Sequence, residues 1–282
     1  MQKLELFDET FDPDRTESYE LSIQVSLSGF SFCIKDLVRN YFIGLVSCPF
    51  ELGLANTNDW SNQVDFIKKQ YPWLKKTFKK VTFSFESQSF CLAPKELFEP
   101  EHAKQLLSLT NIINELDEVR YSETTVGKVC VFNLPTQLVA SWAKVQPKSK
   151  IVGFCEPVLQ YHEFSLKQGL DSNLTISFAN DFSIIAISKG TKLLHCGSIE
   201  SHSIEDTLYH MVNMCKQLDL TPAETQVSTM GYIEQAENME ALIERFFKGV
   251  SIATTLEQNH FSYLLVKYKG RFANLFNQSL CE

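Results

Sequence analysis

Two stretches of this chain repeat one pattern, and that repeat constrains the fold more than any other feature. Tyr19–Val46 and Asn173–Ser198 each read as three short strands joined by tight turns, and each leads into a helix. In the first stretch Leu21-Ser22-Ile23-Gln24-Val25-Ser26 meets Phe30-Ser31-Phe32-Cys33-Ile34 through the turn Leu27-Ser28-Gly29. In the second, Leu174–Phe178 meets Phe182–Ile187 through Ala179-Asn180-Asp181. A strand–turn–strand unit present in both halves predicts two related α/β domains facing each other across a cleft.

The chain has 282 residues, enough for one large domain or two ordinary ones. With 22 phenylalanines and 44% hydrophobic residues, it can fill a core without disulfides or a structural metal. A net charge of −8 argues against general binding of nucleic acid or anionic membranes. The cluster Lys68, Lys69, Lys75, Lys76, Lys79 and Lys80 is a local exception, either a solvated helix end or a phosphate or partner patch. The 8 cysteines form no C-x-x-C pair and mostly fall inside apolar patterns, as reduced buried thiols do. Met1–Thr10 lacks the features of a signal peptide, and no apolar run reaches the ~20 residues of a membrane helix. The expected compartment is the cytoplasm.

Leu6–Ser18 reads as a polar lead-in. A helix is predicted over Asn56–Lys76 from the spacing of Trp60, Val64, Ile67 and Tyr71, with a break at Pro72. Strands follow at Val81–Phe85 and Ser89–Ala93, and Glu99 to Val126 reads as an insertion holding a helix at Pro100–Leu109. Then come a strand at Val129–Leu134, a helix at Thr136–Val145, a strand at Lys150–Phe154 and a helix opening near Pro157, which Gly169 ends. In the second half Ser203-Ile204-Glu205-Asp206 resembles a capping box, and a helical stripe from Ile204 to Leu218 follows it. Thr225–Met230 and Val250–Thr254 are strands around a helix at Met239–Phe247, and Phe261–Tyr268 suggests a closing helix. The first domain is placed at 1–168 and the second at 169–282.

This element order is that of the ribonuclease-H-like unit, mixed five-stranded sheets flanked by helices. Two copies in one chain resemble the actin-like ATPase fold. The chain resembles an uncharacterised family of Bacteroidetes proteins with that fold and, more distantly, actin-like pilus-assembly and cell-division proteins. Within Cys130–Leu166, Asn133-Leu134-Pro135 before one helix and Glu156-Pro157 before the next resemble the pilus-assembly relatives most closely. The resemblance implies a fold rather than an activity.

It also implies where chemistry should sit. In the actin-like fold a turn of the form Asp-x-Gly-[Ser/Thr] in each half holds metal and phosphate. Here the first turn reads Ser26-Leu27-Ser28-Gly29, with serine at the acidic position, and the second reads Phe178-Ala179-Asn180-Asp181, with phenylalanine there. The glycine pair near the adenosine is reduced to Thr229-Met230-Gly231. Neither serine nor phenylalanine supplies a charge for Mg²⁺, so no catalytic or metal-binding residue is assigned. Glu20 reads as an exposed lead-in to the first strand, and Asp181 as an Asx turn or a surviving ligand contact. A sugar- or acyl-kinase reading needs a catalytic carboxylate in the cleft, and none is indicated.

Other constellations are weak. His202 and His210 lie about 12 Å apart on a helix, too far for one ion, and His195 belongs to a strand. His102 and His162, beside Glu101 and Glu163, read as surface pairs. Cys155 precedes a helix, where a thiol can be acidified, although burial at a strand end is the better account. The expected function is a non-catalytic binding or scaffold protein, taking a protein or peptide partner in the interdomain cleft. The alternative is a divergent ATP-binding protein with little hydrolysis, in which Ser26, Ser28, Gly29, Asn180, Asp181 and Gly231 would line the pocket.

Overall fold

The computed structural model describes residues 3–50, 59–124, 127–166, 171–200, 203–231, 236–253 and 259–281. Gly169 and His202, singled out above, lie outside them. In chain order the first half holds β1 (Leu4–Phe7), β2 (Tyr19–Ser26), β3 (Gly29–Asp36), β4 (Tyr41–Pro49), α1 (Trp60–Gln70) and β5 (Lys80–Phe85). It continues with β6 (Phe90–Pro94), α2 (Ala103–Ser108), β7 (Asp117–Glu123), β8 (Lys128–Pro135), α3 (Thr136–Ala143), β9 (Lys150–Val152) and α4 (Glu156–Leu166). The second half holds β10 (Ser172–Phe178), β11 (Phe182–Lys189), β12 (Lys192–Glu200), α5 (Ile204–Gln217), β13 (Gln226–Gly231), α6 (Ala236–Glu244) and β14 (Gly249–Ile252). It ends with β15 (His260–Phe261) and α7 (Ala273–Asn277).

The duplication is plain in the strand order. One sheet runs β12-β11-β10-β13-β14, and the other contains β4-β3-β2-β5-β9. In each, the first strand pairs antiparallel with the second and parallel with the fourth. The first sheet is wider than the five strands expected, because β1 and β15 both add to the outer edge of β4. Leu4 of β1 and Phe261 of β15 join Phe42, Leu45 and Phe276 in one buried cluster there. A polar lead-in at 6–18 therefore starts with a strand, since Leu4 and Leu6 bring apolar surface to that cluster.

β6, β8 and β7 form a separate three-stranded sheet over the buried Leu107, Val129 and Val131. Within the stretch around 99–126 lie α2 and β7, and β7 pairs with β8, which pairs in turn with β6.

The alternation within β2 explains how the layers stack. Tyr19, Leu21, Ile23 and Val25 are buried on one face, against Trp60, Val64 and Ile67 of α1 and Leu138 and Trp142 of α3. Trp142 stacks on Phe83 with centroids 5.6 Å apart. Burying each such side chain contributes about 1.5–3 kcal/mol. The other face of β2 carries Glu20, Ser22, Gln24 and Ser26.

The last helix of each half crosses over. α4 packs on β10 and β11 of the second sheet, α7 packs on β2 and β3 of the first, and the two helices touch each other. The closing helix thus sits at 273–277 rather than 261–268, where β15 and a short 3-10 turn stand instead. Among the described residues no helix is long and apolar enough to cross a membrane.

The helix starts follow local chemistry. The Ser203 side chain accepts from the Asp206 amide at 3.1 Å, capping α5 as its sequence predicts. Ser203→Ala should cost about 1 kcal/mol, read as a shift in the midpoint of urea denaturation with unchanged slope.

Candidate functional site

The two repeated turns line the same pocket and groove, and in each some backbone donors are taken by groups of the chain itself. At the first turn Ser26 Oγ accepts from the amides of Ser28 at 3.2 Å and Gly29 at 3.1 Å. The same oxygen lies 3.0 Å from Ser28 Oγ, and Ser26 is buried. A serine at this position therefore takes up two of the N–H groups that such a turn presents to an anion.

At the second turn the occupant comes from the other half. The Asn180 amide donates to Glu86 Oε1 at 3.5 Å, and Gln24 Nε2 donates to Glu86 Oε2 at 2.9 Å. Glu86 follows the last residue of β5, and its own amide donates to Val25 O at 2.7 Å. One carboxylate thus ties β2 of the first sheet to the turn after β10. Burial pushes the Glu86 carboxyl above its usual range, with nearby Asp181 adding to the rise against the Asn180 and Gln24 hydrogen bonds. Asn180 Nδ2 in turn donates to Asp181 Oδ1 at 3.1 Å.

Gly231 closes the site from β13. Its φ is +96°, and a Cβ there would lie 2.1 Å from the Phe178 carbonyl oxygen, its neighbour in the sheet. Its amide donates to Gly270 O at 3.0 Å. Glycine is required by this backbone approach whether or not a ligand is present. Ser28, Asn180 and Gly231 line one pocket together with Gln24, Glu86 and Arg271. Ser26, Ser28, Asn180 and Asp181 line an adjoining groove that also runs past Ile112, Leu116 and Glu200.

Residues 8–250 match the model of a family described as a protein of unknown function, DUF3822. The chain belongs to the DUF3822 family. No match to a curated protein was found. Among solved structures it is similar to a Bacteroides thetaiotaomicron protein with actin-like ATPase fold and unknown function, at 20% identity, TM-score 0.81, 97% of this chain and 100% of the other. It is also similar to a chain of the PilM–PilN type IV pilus biogenesis complex, at 12% identity, TM-score 0.61, 94% of this chain and 98% of the other. The fold of this DUF3822 chain is the actin-like ATPase fold.

Of the six residues expected at the site, five line the DUF3822 pocket or groove. Gly29 instead closes the hairpin, paired with Ser26 on one side and Pro49 on the other. Glu86, which no sequence motif singles out, also lines this pocket. Its one legible signal is position, directly after a parallel strand, at the carboxyl end where open α/β sheets gather their ligands. Gln24, Arg271 and the pocket residues of β3, β4 and α7 carry no signal in the sequence. Their approach depends on the crossing of α7.

Several other expectations resolve here. Glu20 is buried rather than exposed and pairs with Lys80 at 3.2 Å. Lys68 and Lys76 pair with Asp65 and Asp14. His162 is buried, not a surface pair: Nδ1 lies 2.8 Å from Thr175 Oγ1, and burial lowers its pKa to about 4. His102 pairs with Glu99 at 2.8 Å instead of Glu101. Cys155 Sγ lies 3.3 Å from Cys130 Sγ, and burial holds the Cys155 thiol well above its usual range despite the helix that follows.

Proposed function

We propose that this DUF3822 chain is a non-catalytic binding protein whose cleft takes a basic segment of a partner protein. The observation that carries this reading is the occupation of both turns from within, by Ser26 Oγ and by the Glu86 carboxylate. A phosphate entering the cleft would compete with a fixed hydroxyl at one turn and be repelled by a carboxylate at the other.

Charge and exposure support the kind of partner. Glu86, Glu115, Asp117, Asp181 and Glu200 all line the groove, and among the described residues its lining contains no Lys, Arg or His. Four of these carboxylates accept from amide side chains: Glu86 from Gln24, Asp117 from Asn133, Asp181 from Asn180 and Glu200 from Gln88. Such neutral donors leave the negative charge of the groove in place. Beside it stand Leu27, Ile112 and Leu116, exposed by 60%, 91% and 83%. An acidic groove with apolar side chains at its rim suits a peptide that combines Lys or Arg with Leu or Ile. One of the similar structures is a complex, that of PilM with PilN, which agrees with a partner-binding role.

The reading is tested by titrating a fluorescent Lys/Leu peptide against the protein and the double variant Glu115→Lys, Glu200→Lys. Affinity should fall about tenfold or more in the variant and weaken steadily with salt, because exposed charges are screened over ~8–10 Å. Binding indifferent to both salt and the substitutions would exclude this partner chemistry.

A second reading, nucleotide binding without efficient hydrolysis, is favoured by the presence of Ser28, Asn180 and Gly231 in one pocket. A saturable rise in melting temperature with Mg²⁺ and ATP, ADP or GTP would place that reading first.

A further inference from the structure

Away from the cleft, one strongly charged surface of the molecule has no part in partner binding. α1 carries Lys68 and Lys69 in its last turn, and Lys144 stands at the C-cap of α3. The two helices pack together, with Ser61 Oγ 2.9 Å from Ser141 Oγ. Past their ends, Gln146 Nε2 donates to Leu74 O at 2.5 Å and to Lys76 O at 2.7 Å. That anchor holds the turn bearing Lys148 against the one bearing Lys75 and Lys76. Lys68 and Lys76 pair with Asp65 and Asp14. Lys69, Lys75, Lys144 and Lys148 are exposed, and none has an ion-pair partner among the described residues. Asp65 shows that lysines of both helices share one surface. A hydrogen bond and the charge of Lys68 hold its carboxyl below the usual range, and Lys69 and Lys144 add to the effect.

We propose that this face docks on an anionic lipid surface, through the headgroup phosphates and without insertion into the bilayer. Clusters of this size and composition bind such surfaces by charge alone. Neither the pocket nor the groove is lined by any of these lysines, so neither cavity presents them to a small anion. Both helices also present carbonyl ends here, which offer a discrete phosphate no backbone donors. Long lysine stems still reach a diffuse layer of negative charge. Among the described residues, no large exposed apolar side chain falls within 60–80 or 136–150. Protein interfaces are centred on apolar or aromatic anchors and are poor in lysine, and single-stranded nucleic acid calls for exposed rings. Helix-end electrostatics account for Lys68, Lys69 and Lys144, but Lys75 and Lys148 lie beyond both ends. The net charge of −8 opposes approach of the rest of the chain, so docking fixes the orientation of the molecule.

The test is co-sedimentation of the full chain with vesicles of phosphatidylcholine alone and of phosphatidylcholine mixed with phosphatidylglycerol. The anionic vesicles should carry the protein down and the neutral ones should not, with binding lost as salt shortens the screening length. Combining Lys69→Glu, Lys75→Glu and Lys144→Glu should weaken vesicle binding by about tenfold or more. Combining Lys69→Arg, Lys75→Arg and Lys144→Arg should retain it, because diffuse charge is what the surface reads. These side chains are exposed, so the melting temperature should stay level in both variants. The inference is overturned by equal binding to the two vesicle types, by binding to neither, or by a glutamate variant that keeps wild-type binding. A chain held by duplex DNA or polyglutamate but not by anionic vesicles overturns the lipid assignment as well. The inference does not rest on the partner reading, since Glu115→Lys with Glu200→Lys leaves these lysines in place and should bind anionic vesicles at least as well as wild type. Failure of the Lys/Leu peptide to bind while vesicle docking holds would count against the partner reading alone.

Discussion

Gly231→Ala should destabilise the protein by about 3–5 kcal/mol, the largest single loss expected of any small substitution in the cleft. Two costs add at this position. A φ of +96° is one that residues with a side chain rarely adopt, and the new methyl carbon would fall 2.1 Å from the Phe178 carbonyl oxygen. That oxygen belongs to the backbone of β10, so the clash is relieved only by separating two paired strands. Gly190 offers the control. It has a φ of +56° and nothing within 4 Å of where a methyl carbon would stand, so Gly190→Ala carries the conformational cost alone, about 1 kcal/mol. Urea denaturation of both variants separates the two costs, and equal losses would show that strand contact at Gly231 is unimportant. The contrast also bears on function. A glycine here could be read as a remnant of nucleotide contact, but the sheet requires it independently.

Glu86→Gln should raise stability at neutral pH and flatten its dependence on pH. The sign follows from the direction of the shift. Burial raises the carboxyl pKa in the folded protein, so the folded state holds its proton at pH values where the unfolded chain has released it. The stability linked to that proton is complete below the unfolded carboxylate pKa and is lost as pH rises through the folded value. Glutamine keeps an oxygen to accept from Gln24 Nε2 or the Asn180 amide, and has no proton to lose. Variant and wild type should therefore be nearly equal in acid and diverge above the ordinary carboxylate range, with a slope of at most about 1.4 kcal/mol per pH unit. Partial contact with solvent will reduce that figure. Glu20 and Glu156 are also raised by burial, while hydrogen bonds and Arg39 hold Asp36 low against its burial. These backgrounds are common to both proteins and cancel in the difference. A difference independent of pH between 4 and 8 would contradict the assignment.

The same carboxylate shows why the site is harder to read than the fold. Strands β2, β3, β10 and β11 are visible because their alternation and turns are local. The Ser203 cap is visible because its partner is three residues away. Ser26 is recognisable as a substitute for an acid, but its role in taking up the Ser28 and Gly29 amides is a matter of hydrogen-bond geometry. Glu86 is marked only by its position after β5, since its partners are 62 residues upstream at Gln24 and 94 downstream at Asn180. The β1 and β15 edge strands escape a reading of the sequence for a related reason. A short apolar segment such as Leu4–Phe7 becomes a strand through the open edge of β4, not through its own pattern.

By itself the chain of residues determined the duplicated element order, most of the helices that cover it and the lack of an acid where the resemblance expects one in each turn. Those properties depend on neighbours a few positions apart, where periodicity and turn chemistry act. Tertiary structure decided that α4 and α7 exchange between the sheets and that Glu86 takes the second turn. Each of those joins groups far apart along the chain, and only the packing of apolar faces determines which distant polar groups come within hydrogen-bonding distance.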